Sequence, residues 1–73
     1  MKQVIAYIEQ NRSGFYSVYT NDNFPFGFFG EGDTPQQAIE DFKAVYRGMK
    51  ENYEQRYNTR LEKVEFVFRY DSD

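Results

Sequence analysis

A chain of 73 residues with no cysteine and no histidine is expected to form one domain, 1–73, with no disulfide, no thiolate metal site and no imidazole for acid–base chemistry. Its net charge of −3 does not supply the basic face by which proteins hold nucleic-acid phosphates, and favours basic partners instead. No long apolar run or leader-like start precedes the first strand pattern, so no membrane segment and a cytoplasmic location are expected.

A domain this small buries only about 60% of its unfolded surface. Its eight Phe and seven Tyr therefore matter, because aromatic rings carry much apolar area per residue and serve both cores and interfaces. Gln3–Gln10 reads as a first strand, with Val4, Ala6 and Ile8 on one face and Ile5 and Tyr7 on the other. Asn11-Arg12-Ser13-Gly14 is a turn, with Gly14 available for positive φ. Phe15–Thr20 is a second strand, and Asn21-Asp22-Asn23 with Pro25 marks the next loop. Phe26–Glu31 gives a glycine-bearing third strand, and the short links predict an antiparallel meander.

Gly32-Asp33-Thr34-Pro35-Gln36-Gln37 announces a helix: Thr34 at the N-cap, Pro35 at the first helical position, Gln37 where a capping box places Glu or Gln. Ala38, Ile39, Phe42, Val45, Tyr46, Met49 and Tyr53 form one apolar stripe, predicting a helix that ends between Tyr53 and Tyr57, with Asn58-Thr59 as its exit. Lys63–Tyr70 alternates as a fourth strand, and Asp71-Ser72-Asp73 is a polar tail. The fold class is α+β in the order β-β-β-α-β. One long helix covers one sheet face, which leaves apolar residues on the other face available for association.

Catalysis finds no support in this pattern. Two-metal phosphoryl transfer needs carboxylates that converge, and the first strand's interior, Val4–Ile8, carries none. Glu31, Asp33, Glu40 and Asp41 follow no Ca²⁺-loop pattern and read as charges that complement the helix dipole. No catalytic residue, metal ligand or cofactor is expected. RNA binding through aromatic stacking is the rival reading, but the basic residues are scattered among acids.

Ser13-Gly14-Phe15-Tyr16-Ser17-Val18-Tyr19 and Phe29-Gly30-Glu31-Gly32-Asp33-Thr34-Pro35-Gln36-Gln37-Ala38-Ile39 resemble the HicB antitoxin family, with its Gly-aromatic second strand and Gly-Asp-Thr helix entry. The family's Pro-Gly pair stands here as Phe26-Gly27, with Pro25 one place early. The resemblance implies a partial ribonuclease-H-like fold in which strand four lies beside strand one and parallel to it. It also implies a homo-oligomer and a small basic partner, a HicA-like RNA-cleaving toxin. Many HicB proteins carry a C-terminal DNA-binding segment; this sequence ends at Asp73, so no direct DNA binding is expected. Glu31, Asp33, Tyr53 and Tyr57 are the candidate partner-binding residues, and Tyr7 and Tyr16 the candidates for self-association. The alternative function is a solitary oligomeric structural or adaptor domain without a toxin.

Overall fold

A computed structural model describes residues 1–71; Ser72 and Asp73 of the predicted tail lie outside the described residues. The elements are β1 Lys2–Gln10, β2 Tyr16–Thr20, β3 Gly30–Gly32, α1 Pro35–Tyr57 and β4 Val64–Tyr70. They form one four-stranded sheet in the order β3-β2-β1-β4. The first three strands run antiparallel, and β4 lies parallel to β1, with the helix as the crossover. The architecture is the predicted α+β one.

The β1–β2 turn is held by Asn11. Its carboxamide oxygen accepts from the Ser13 and Phe15 N–H groups, both at 3.0 Å, while Gly14 takes φ 91°. This fixes a register with Tyr7 opposite Tyr19 and Ile8 opposite Val18. Because strand side chains alternate, the register sorts every residue to one face. Val4, Ala6, Ile8, Val18, Phe66 and Phe68 lie beneath the helix. Ala6, Val18, Ala38 and Phe42 are wholly buried there, with Ile8 nearly so.

The third strand is shorter than the sequence predicts, and displaced: Gly30–Gly32 rather than Phe26–Glu31. The cause is the three phenylalanines before it. Phe24, Phe26 and Phe28 turn onto the helix, with ring centroids 5.6, 6.1 and 5.2 Å from Tyr46. Burying three rings there outweighs four more residues of edge ladder.

Gly30 and Gly32 leave β3 without side chains on its helix side. A Cβ on Gly30 would lie 2.3 Å from the Phe42 backbone nitrogen and 2.6 Å from the Ala38 carbonyl oxygen; one on Gly32 would lie 2.5 Å from the Ala38 nitrogen. The first turns of α1 thus rest directly on strand backbone. Between the two glycines, the Glu31 N–H donates to the Asp41 carboxylate at 2.9 Å, which satisfies an outward-facing group of this edge strand.

The helix begins as predicted. Thr34 is the N-cap and accepts from the Gln37 N–H at 3.1 Å, and Pro35 is the first helical residue. The Gln37 side chain reaches back to the Asp33 N–H at 3.0 Å, one residue earlier than a standard capping box closes. Asn58 ends the helix in the left-handed region, φ 48°, and its N–H donates to the Glu54 carbonyl.

The two kinds of glycine give opposite expectations. Gly30→Ala must force helix and strand backbones apart, and is expected to cost about 3 kcal/mol, the upper part of the overpacking range. A Cβ at Gly48 meets open space, so Gly48→Ala should raise stability by about 0.5–1 kcal/mol through helix propensity. Urea unfolding midpoints of the two variants check both values and signs.

Candidate functional site

Among the described elements, α1 covers one face of the sheet and nothing covers the other. The rows across that open face follow from the registers. One row runs Glu31, Ser17, Glu9; the next runs Tyr19, Tyr7, Arg69; beyond it lie Ile5 beside Val67, and Gln3 beside Glu65. Tyr7 and Tyr19 meet with ring centroids 5.7 Å apart. The Tyr19 hydroxyl donates to the Asp71 carboxylate at 2.7 Å. The face therefore holds a tyrosine pair bounded by Glu9, Glu31 and Asp71, with Arg69 the cation in its row. Ile5, 38% exposed, adds apolar surface beside it. Such a surface presents aromatic anchors and complements a basic protein face.

The electrostatics of the pair are visible at Tyr19. Its phenol is pushed up to about 12 from an ordinary 10.0, first by the hydrogen bond to Asp71, then by desolvation and by the charges of Asp71 and Glu9. An ionised phenol there would face carboxylates.

A second surface lies at the far end of the helix. Contacts between rings run without a break from the core to solvent. Phe42 meets Phe66 at 4.9 Å, Phe66 meets Tyr46 at 5.0 Å, Tyr46 meets Phe28 at 5.2 Å and Phe28 meets Phe24 at 5.2 Å. The chain continues through Phe26 to Tyr53 at 6.1 Å and ends at Tyr57, 4.7 Å further on. Burial raises the pKa of the Tyr46 phenol within this chain, and the Glu54 charge adds to the effect. At the outer end Pro25, Phe26, Met49, Asn52, Tyr53, Arg56 and Tyr57 line a notch of about 250 Å³. Tyr57 is 59% exposed, and the Arg56 guanidinium lies 5.8 Å from its ring centroid.

The candidate residues from the sequence divide between these places. Glu31 stands on the open face. Asp33 is exposed at the β3–α1 junction. Tyr53 and Tyr57 belong to the notch, roughly 30 Å away along a helix rising about 1.5 Å per residue. One contiguous patch of all four is not what the fold builds.

Tyr7 lies on the open face, but Tyr16 pairs with Gln10 and Gly32 and packs against the buried core from the helix side. The neighbour of Tyr7 is Tyr19, which sequence reasoning passed over, as it did Glu9 and Asp71. The alternation of β1 set Tyr7 apart from Val4, Ala6 and Ile8; only the Tyr7–Tyr19 register joins these residues. Glu40 and Asp41 do not join Glu31 and Asp33 in a ligand set. Asp41 serves the Glu31 N–H, and no group of three metal-ligating side chains gathers among the described residues.

Tyrosine titration checks the open face. Phenolate absorbance should show Tyr19 ionising near 12, and Asp71→Asn should return it towards 10.0. The raised value means that the folded state favours the neutral phenol. The stability from this bond is therefore complete below pH 10.0 and is lost as pH rises through about 12. Asp71→Asn should flatten that alkaline loss. Comparison with protein-family models, with curated proteins and with solved structures finds no match to this chain.

Proposed function

We propose that this chain is a non-catalytic, antitoxin-like protein-binding domain, similar in role to HicB proteins, whose open sheet face takes a small basic HicA-like RNA-cleaving partner. The observation that carries the reading is the tyrosine pair Tyr7–Tyr19 set among Glu9, Glu31 and Asp71 on a sheet face that no described element covers. A tyrosine pair offers amphipathic area at low side-chain entropy cost, and surrounding carboxylates attract and orient a cationic surface.

Three further points support the reading. The element order, with β4 parallel beside β1, is the one the HicB resemblance implies. The acids that a nuclease would gather are dispersed, and one of them is engaged by backbone. The notch at Tyr53 and Tyr57 supplies a second apolar contact of interface composition, rich in Tyr, Met and Arg. A solitary oligomeric adaptor is the second reading. The uncovered apolar residues Ile5 and Val67 beside the tyrosines favour it.

Affinity purification of the tagged protein from its host is expected to recover one small basic ribonuclease in stoichiometric amount, released by salt and inhibited while bound. Tyr7→Ala should weaken that complex by about 2 kcal/mol, roughly thirtyfold. Glu31→Lys should chiefly slow association and flatten its dependence on salt, because part of the attraction that salt screens is removed. Recovery of RNA alone, or a complex indifferent to both substitutions, would count against this face as the binding site.

A further inference from the structure

The two edges of the sheet are treated differently. The β3 edge is three residues long, and its outward Glu31 N–H is taken by Asp41. The β4 edge runs Val64–Tyr70 with no proline and no glycine, and α1 packs over β3 and β2 rather than over β4. The hydrogen bonds to β1 give the direction of every group. Lys2 N–H donates to the Lys63 carbonyl, and Asp71 N–H to the Ile8 carbonyl. In this parallel register the odd-numbered residues of β4 face β1. Val64, Phe66, Phe68 and Tyr70 consequently turn their N–H and C=O groups to the outside, where no strand among the described residues pairs with them. A free edge of this kind is a template for another strand.

We propose that the occupant is a second copy of this chain. Two β4 strands pair antiparallel about a two-fold axis at Val67, which joins the two sheets into one. The sequence of the strand is self-complementary in that register. Glu65 faces the partner's Arg69, Arg69 faces the partner's Glu65, and Lys63 faces the partner's Asp71. The two copies of Val67 meet on the axis. Phe66 lies opposite the partner's Phe68, and Val64 opposite the partner's Tyr70; these are the residues whose backbone groups point outward, so they form the hydrogen-bonded pairs.

Only every second register keeps those groups opposed, and the neighbouring ones fail on charge. Centring on Phe66 sets Arg69 against the partner's Lys63. Centring on Phe68 sets Glu65 against the partner's Asp71. Like charges directly opposite each other across a strand pair destabilise it. The two-fold operation also makes this an isologous, closed interface, so a free edge does not propagate into a fibre. The seam contains neither Tyr7 nor Tyr16. It leaves the Tyr7–Tyr19 pair open, while Arg69 and Asp71 border that pair and also stand in the seam, so the seam is read by chain association and not by partner binding.

Sedimentation of the full chain over a dilution series tests the seam. The wild type is expected at twice the 8.8 kDa chain mass. Glu65→Arg alone and Arg69→Glu alone should each associate at least about tenfold more weakly, because each sets like charges opposite one another. An equimolar mixture of the two variants should restore a two-chain particle, since every opposed charge is then of opposite sign. Far-UV circular dichroism establishes that the variants are folded. Tyr70→Pro, which removes an outward N–H without touching the β1 ladder, should also give single chains. A monomeric wild type, dimers that persist in the folded single variants or in Tyr70→Pro, or a mixture that stays monomeric would each overturn the seam.

Discussion

The fold depends on one close approach: the first turns of α1 lying directly on the backbone of β3, at Gly30 and Gly32. Glycine is required there by space rather than by dihedral angle, since a methyl group at either position would meet helix backbone and not a yielding side-chain tip. This seat decides where the helix lies. Held against β3, it leans over β2 and barely reaches β1. The space between the helix and the β4 side of the sheet must then be filled by long side chains. Phe42 and Tyr46 reach down from the helix, and Phe66 and Phe68 reach up from β4. The same displacement exposes the outer margin of β4.

The aromatic content of this small chain is the counterpart of that geometry. The wholly buried side chains are few, and Phe42 is the largest of them. Most of the remaining apolar burial is partial and lies in rings that touch edge to face or at a tilt, such as Phe42 on Phe66 at 82° and Tyr46 on Phe66 at 84°. Edge-to-face pairs contribute about 0.5–1.5 kcal/mol each beyond area burial. A linked series of them extends ordered packing outward from a core too small to be deep. The β2–β3 loop is thereby part of the hydrophobic structure: Phe24, Phe26 and Phe28 bind it to the helix, and the Thr20 hydroxyl, donating to the Ile5 carbonyl at 2.9 Å, anchors its start.

Much of this is legible in the sequence because it is local. The Thr34-Pro35-Gln37 helix entry, the Asn58 exit, the Gly14 turn and the alternation of β4 each rest on residues a few positions apart, and each appears where expected. The third strand is the exception, since Phe26–Glu31 has strand-like residues whose rings find better partners on a helix far along the chain. The site is harder to read for the same reason. Periodicity sets Tyr7 on the face opposite Val4, Ala6 and Ile8, but no local signal says which face is open, that Tyr19 is its neighbour, or that Asp71 closes over Tyr19 from the far end of the chain. Register is a long-range property. Glu31 and Tyr53, both plausible as single residues, prove to serve different surfaces once the helix length separates them.

The parallel pairing of β1 with β4 has a kinetic consequence. It joins Lys2–Ile8 to Val64–Tyr70, so the strand beside which the sheet must close is the last of the four to be synthesised. The hairpin of β1 and β2 can form early, through a short turn. Until β4 arrives, however, β1 has an empty margin and Phe42 lacks two of the rings that cover it. Pairings this distant in sequence raise contact order and delay the folding transition state. The nascent chain therefore passes through an interval in which Val4, Ala6 and Ile8 stand beside an unfilled strand position, and in that interval aggregation competes with folding.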